Sequence, residues 1–294
     1  MRNIHKDYSV VCHDAGATNQ LIALIRAEGI RIKSAYLEGP GLRLWQNAFP
    51  NIPTGACMED VVKSANLLLT GTSWASLLEH NARRLAKQLN IFSISMLDHW
   101  SDYSIRFRVG SRNCLPDEFW VVDEYAMHLA RESFPGKPIK LKRDWYATHQ
   151  LSEITHISKA NTNQLLYLFE PALSSWGKDA PGELQAFKYF MDRLPFLDLP
   201  RHLRIVLRPH PSDFPGKYEG LINAYSDYKK DISLNVGKLS DAISSSSWVA
   251  GCQTYALVVA LQSGRKVYGT LPPWAPKCAL PHQGIIHLRE VLGQ

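Results

Sequence analysis

Short apolar runs recur along this chain, each stopping at a polar residue or glycine. Tyr8–Asp14 (YSVVCHD), Ile30–Leu37, Asn66–Thr70 (NLLLT), Ile91–Leu97 and Phe119–Asp123 form one series. Leu165–Phe169 (LLYLF), Arg204–Leu207, Ile232–Asn235, Trp248–Cys252 and Lys266–Tyr268 form a second. Runs this short and this apolar predict strands buried on both faces. Between them Gly16–Glu28, Ala75–Leu89, Ala126–Ser133 and Gly182–Leu194 predict helices. Strands alternating with helices imply parallel sheets covered on both sides. The polar stretch Ser158–Gln164 separates two complete series and reads as a boundary. The chain is therefore expected to be α/β: two doubly wound, Rossmann-like domains (1–160 and 161–294) facing a central cleft. Ligands of such sheets bind outside the carboxyl ends of the strands.

Composition narrows the function classes. Of 294 residues 45% are hydrophobic, enough for two cores, and no apolar stretch nears the ~20 residues of a membrane span. Behind Met1–Asp7 no apolar signal region follows, which points to the cytoplasm. Five cysteines without CxxC spacing speak against a zinc site or a disulfide framework. The formal charge of +6 is loosely grouped, in Lys137–Arg143 and at Arg106, Arg108 and Arg112. That suits anionic substrates, or peripheral attachment to the inner face of a membrane, better than nucleic acid.

Two short segments carry most of the chemistry. Arg208-Pro209-His210-Pro211 follows a strand-like run, so two prolines hold an arginine and an imidazole at a strand end. Ser244–Ser247 lies some way downstream and opens Trp248–Cys252, with Gln253-Thr254-Tyr255 and a helical run behind it. Hydroxyls, a glycine and free N–H groups before a helix suggest a phosphate cradle without a Walker lysine. On this reading Arg208, His210, Pro211, Ser245, Ser246, Ser247 and Thr254 contact a nucleotide phosphate. Each has a plainer alternative: a structural histidine, a solvated serine turn, a helix cap.

The outline resembles GT-B type glycosyltransferases. The motif pair is similar to the HP and serine-rich motifs of bacterial sialyltransferase-like enzymes that use CMP-activated acidic sugars. The resemblance implies that His210-Pro211 and the serine run meet the phosphate and cytidine of a CMP donor. Those families also carry an acidic D/E-D/E-G motif that supplies a base. Here His13-Asp14-Ala15-Gly16 stands after the first strand instead.

Transfer from such a donor needs a carboxylate to deprotonate an acceptor hydroxyl, and positive groups on the departing phosphate. Asp14 is the expected base, its alternative being the N-cap of the following helix. Asp98 and His99, in a segment rich in aromatic and carboxylate groups (Asp98–Tyr103), are the rivals; a loop anchored by Trp100 is the alternative there. Glu170 either binds a nucleobase or ribose or is satisfied by local N–H groups.

The expected activity is an inverting, metal-independent transfer of a sialic-acid-like nonulosonate or Kdo from CMP to a surface glycan. No cofactor is expected beyond the donor itself, and no metal ligands. The rivals are a UDP-sugar transferase or epimerase, a CDP-polyol phosphotransferase, and a nucleotide- or glycan-binding module without chemistry. Oligomeric state is not legible in the sequence.

Overall fold

The computed structural model describes residues 7–73, 76–156, 162–170, 174–211, 213–226 and 231–292. The chain divides into two compact units, Met1–Thr148 and His149–Gln294. Most of the expected boundary segment Ser158–Gln164 lies outside the described residues, as does the start of the helix expected from Ala75.

In unit 1 the strands are β1 (Tyr8–Cys12), β2 (Ile32–Leu37), β3 (Leu67–Thr70), β4 (Phe92–Met96), the short hairpin β5 (Arg108–Val109) and β6 (Arg112–Asn113), β7 (Glu118–Val121) and β8 (Ile139–Leu141). The helices are α1 (Ala15–Glu28), α2 (Gly39–Ala48), α3 (Met58–Lys63), α4 (Leu78–Gln88), α5 (Tyr103–Arg106), α6 (Glu124–Ser133) and α7 (Trp145–Glu153), the last running into unit 2. The main sheet has the order β2-β1-β3-β4-β7-β8, all parallel. From β1 the chain moves outward to β2, then returns to the other side of β1 at β3. The gap between β1 and β3 is thus a topological switch point.

Helix α1 shows why these segments fold as they do. Its buried residues Ala17, Leu21, Leu24 and Ile25 recur at helical spacing and face the sheet, packing with Val10, Trp45, Leu69, Ile94 and Trp120. It ends at Gly29, which adopts a left-handed φ of 62° and returns its N–H to Ile25 O. The opposite face of the sheet is covered by α3 and α4 through Val61, Val62, Leu78 and Ala82.

Unit 2 repeats the plan with β9 (Gln164–Leu168), β10 (Arg204–Arg208), β11 (Asp231–Leu234), β12 (Trp248–Gly251), β13 (Lys266–Gly269) and β14 (Ile285–His287). Its helices are α8 (Gly182–Arg193), α9 (Glu219–Ser226), α10 (Leu239–Ser244), α11 (Tyr255–Gln262) and α12 (Leu288–Val291). The order β11-β10-β9-β12-β13-β14 is again fully parallel, and its switch point lies between β9 and β12. The core is aromatic: Tyr167, Phe169, Phe187, Phe190 and Tyr218 form one cluster, with Phe169 and Tyr218 stacked at 3.9 Å. Among the described residues no helix is long and apolar enough to cross a membrane.

Candidate functional site

In unit 1 the structure brings Asp14 and Asp98 to the same strand edge. Asp14 directly follows β1 and occupies the N-cap position of α1, yet its side chain makes no cap hydrogen bond. Its Oδ1 instead accepts a hydrogen bond from Ser73 Oγ at 2.9 Å and lies 2.7 Å from His13 Nδ1. The carboxylate is held by these contacts and remains about a quarter exposed (28%). Capping, the plainer alternative, is not what this side chain does.

Asp98 follows β4 and is held from the same loop, with Thr72 Oγ1 donating to its Oδ1 at 3.3 Å. Arg106 Nη1 stands 4.0 Å from Asp98 and donates to Thr72 O at 3.0 Å. Asp98 also lies directly over the first turn of α1, where a Cβ added at Gly16 would come within 2.4 Å of its Oδ2. Residue 16 must therefore lack a side chain for Asp98 to sit where it does. His99 is adjacent, its Nδ1 3.3 Å from Ser101 Oγ. Trp100 is buried and donates its Nε1 proton to Asp123, so the loop is anchored there as well as rich in polar groups.

Sequence reading missed three partners of this cluster. His13 is fixed by Gly39, whose left-handed φ of 54° turns the chain onto the imidazole: a Cβ there would lie 2.5 Å from Nε2. Ser73 accepts from Ser76 N at 3.1 Å in addition to donating to Asp14. Glu79, in the first turn of α4, is 1% exposed and accepts from His13 N at 2.9 Å. Burial pushes its carboxyl up to about 7, against the backbone hydrogen bonds that favour the ionised form. The only sequence signal for Glu79 was an acidic residue at a helix start, which is common on solvated surfaces.

In unit 2 Arg208, His210 and Pro211 line a cavity of about 380 Å³ beyond β10, together with Tyr218, Asn235 and residues between them. Asp213 organises the loop, accepting from His210 N at 2.9 Å, Tyr218 Oη at 2.9 Å and Lys217 Nζ at 2.8 Å. Lys217 also pairs with the buried Glu183 at 2.9 Å. Burial lowers the pKa of His210, although Asp213 pulls the other way. Arg208 Nη1 donates to Asn235 Oδ1 and to Gly237 O, both at 2.7 Å, which holds the loop after β11 against the cavity.

The serine run requires a correction. Ser247 precedes β12, and its N–H bonds to Gln164 O at the start of β9. Arg208 pairs with Leu168 at the end of β9, as Gly251 does. The serines and the Arg208–Pro211 loop thus occupy opposite edges of one parallel sheet, separated by a strand length of roughly 13 Å. Their hydroxyls are also spent locally: Ser245 Oγ on Asp241 O, Ser246 Oγ on Ala242 O and Ser247 Oγ on Thr162 O. Ser246 is fully buried. They stabilise the turn into β12 and do not join the phosphate group of residues.

Thr254 does lie at the carboxyl edge, as N-cap of α11, again without a side-chain cap bond. Glu170 lies across from it, but its Oε1 accepts from Gln253 N and the residue is 8% exposed. Of its two readings the structure gives the second: Glu170 ties the ends of β9 and β12 together. Burial raises its carboxyl to about 7.

The sequence matches no protein-family model and no curated protein. Solved structures are similar to it throughout. MurG of Acinetobacter baumannii aligns at 12% identity over 91% of this chain and 79% of that one, with a TM-score of 0.50. The UDP-GlcNAc 2-epimerase of Neisseria meningitidis, bound to UDP-GlcNAc, aligns at 10% over 90% and 82%, with a TM-score of 0.56. That of Rickettsia bellii aligns at 11% over 90% and 79%, with a TM-score of 0.57. The fold is of the GT-B type. Both Rossmann-like units of that fold are present; the unit 1 cluster lies at the β1–β3 switch point, and the unit 2 cavity lies beyond the ends of the neighbouring strands β10 and β11.

Proposed function

We propose that this GT-B chain is a glycosyltransferase that takes its sugar from a nucleotide donor, with Asp14 as general base. The observation that carries the reading is the state of Asp14: at an N-cap position, yet making no cap hydrogen bond, held instead by Ser73 and His13, and partly exposed to solvent. A residue used only for capping would bond the helix N–H groups. In the reaction Asp14 takes the proton of an acceptor hydroxyl as its oxygen attacks the anomeric carbon. The bond from that carbon to the donor phosphate breaks, and the electron pair leaves with the nucleotide. Unit 2 supplies the nucleotide contacts, with the His210 imidazole and the Arg208 guanidinium as donors to the growing phosphate charge. A cavity of about 380 Å³, walled by prolines and Tyr218 and carrying Arg208, His210, Lys217 and Asn235, suits one end of a nucleotide.

The Arg208–Pro211 motif favours a CMP-linked acidic sugar as donor, and that preference now rests without the serines. A UDP-sugar is the second reading, favoured by the likeness to two UDP-GlcNAc 2-epimerases. Thermal-shift titration with CMP, CDP, UDP and UDP-GlcNAc, with and without EDTA, separates them. A nucleotide at a hundred times its Kd stabilises by about 2.7 kcal/mol. Stabilisation by CMP alone, unmoved by EDTA and lost in His210→Ala, supports the first reading. Selective stabilisation by UDP or UDP-GlcNAc transfers the assignment to the second, and by CDP to a polyol-phosphate donor. No response to any of them refutes a nucleotide-dependent activity.

A further inference from the structure

A second cavity in unit 1, of about 160 Å³, is lined by Ser73, Ser76, Glu79, Arg83, Arg106 and Arg108 among others. Its charge is one-sided. Three guanidinium groups reach it from α4, the end of α5 and β5. Against them stand Glu79 and, 4.0 Å from Arg106, Asp98. Among the described residues no carboxylate lies within ion-pair distance of Arg83 or Arg108.

Arg83 is the sharpest case. It is 1% exposed, with Nε donating to Cys114 O at 3.1 Å and its guanidinium 4.6 Å from the Phe107 ring centre. Glu79, one turn earlier on α4, is the charge nearest in effect to Arg83 but forms no ion pair with it. A guanidinium buried with carbonyls and a ring and without an ion-pair partner is costly, and is expected where a ligand brings an anion. Burial lowers the pKa of Arg83 to about 10, still far above neutrality, so the charge persists. Glu79 adds a second sign of incompleteness: its Oε1 is taken by His13 N, but its Oε2 is buried and has no hydrogen-bond partner among the described residues. As a carboxylic acid it would donate that missing bond to a ligand oxygen.

We propose that this cavity is an oxyanion subsite that holds the carboxylate or phosphate of an acidic glycan acceptor. Ser73 makes the connection to the chemistry, since it lines this cavity and its Oγ holds Asp14 at 2.9 Å. An acid group placed here sits one residue from the general base, which fixes a neighbouring sugar hydroxyl in reach of it. Arg106 is common to both, lining the cavity and bracing the Thr72 carbonyl beside Asp98. The cavity is far too small for a nucleotide but has room for a small polyatomic anion. The assignment of the ligand as an acceptor rests on Asp14 being the base; the oxyanion chemistry does not.

The test is site-resolved labelling of the intact chain with phenylglyoxal, read by peptide mass spectrometry at Arg108, which is exposed. Arg204, 54% exposed in unit 2, is the internal reference. The probes are glucuronate, glucose 6-phosphate, inorganic phosphate and glucose. The proposal expects glucuronate and glucose 6-phosphate to slow labelling of Arg108 about fivefold or more, without slowing Arg204. Glucose should do nothing and inorganic phosphate less than the sugars. Ser76→Asp provides the second arm. The Ser76 hydroxyl accepts from Leu78 N at 3.1 Å, and aspartate keeps that cap while adding a negative charge to the cavity. It should weaken protection by about tenfold. Unchanged labelling of Arg108, equal slowing of Arg204, or full protection in Ser76→Asp overturns the site. Inorganic phosphate protecting as well as the acidic sugars overturns the acceptor. Labelling needs neither donor nor turnover, so its failure leaves the nucleotide titration standing, and the reverse holds too.

Discussion

Gly16→Ala separates folding from chemistry within one residue. Gly16 lies in the first turn of α1, where alanine would ordinarily stabilise the helix by about 0.5–1 kcal/mol. Here the new Cβ would come within 2.4 Å of Asp98 Oδ2 and 3.6 Å of its Cγ. Contacts under 3.0 Å cannot stand, and α1 is packed against the sheet through Ala17, Leu21 and Leu24, so the helix is the stiffer partner. The carboxylate must turn away. That sacrifices the 3.3 Å bond from Thr72 and the approach to Arg106, a loss of about 0.5–1.5 kcal/mol for the hydrogen bond.

The two terms nearly cancel. Stability should stay within about 1 kcal/mol of the parent, or a few degrees in the unfolding midpoint. Activity should not, because a displacement of about 1 Å in a positioned group can cost on the order of a hundredfold. The assay is kcat/KM on the donor found by titration, beside urea unfolding of the same preparations. A variant that melts higher and turns over normally would refute the reasoning, either because Asp98 does not sit over Gly16 or because its position is irrelevant to catalysis. A variant that unfolds several kcal/mol early would show that the helix, and not the side chain, gives way.

Other substitutions probe the remaining links. Asp14→Asn should reduce kcat by about a hundred- to ten-thousandfold with little effect on the midpoint, while Ser73→Ala should keep most of the activity and shift its pH profile. Glu170 titrates near 7 when folded and near 4.5 when exposed, so the folded state binds more protons between those values and stability falls as pH rises through the window. Glu170→Gln should remove that slope, giving a gain over the parent at pH 8 of up to about 3 kcal/mol by denaturant melts; an unchanged slope would exclude Glu170 as its source. Arg265 is 2% exposed and donates to Ser246 O, Ser263 O and Thr155 O. Arg265→Ala should therefore destabilise unit 2 by about 3–5 kcal/mol, measured by urea unfolding, without altering nucleotide affinity.

The strands were readable wherever they were central. Val10, Leu68, Leu166 and Val249 stand in runs buried on both faces, and such runs are continuous in sequence. Ile139–Leu141 escaped because it is an edge strand inside a basic segment, where Lys140 turns outward to pair with Glu118 at 2.8 Å. Ile285–His287 is the edge of the other sheet and escaped similarly. Helix α2 begins Gly-Pro-Gly, a signature that reads as a turn until His13 is seen to need Gly39. Arg265 has no sequence signal at all, since nothing in a pattern marks an arginine that will be buried among carbonyls.

The serine run was misplaced for a reason that the sequence already contained. In a parallel sheet every residue just before a strand lies at one edge and every residue just after a strand at the other. Arg208–Pro211 comes after its strand and Ser244–Ser247 before its own, so no register of β10 and β12 could join them. The same rule, applied to all strand ends, selects His13-Asp14, Thr72-Ser73 and Asp98-His99 in unit 1, and Glu170, His210 and Gln253-Thr254 in unit 2. Among the buried carboxyl groups that meet those strand ends, what distinguishes chemistry from scaffolding is the second oxygen. Glu79 and Glu170 each accept a backbone N–H just past a central strand, and burial raises both to about 7. Glu170 does so to close the β9–β12 gap, a task glutamine could share. Among the described residues Glu79 leaves Oε2 unpartnered at the wall of a cavity lined by arginines. A carboxyl group in that setting is explained by what it would bind and not by what it supports.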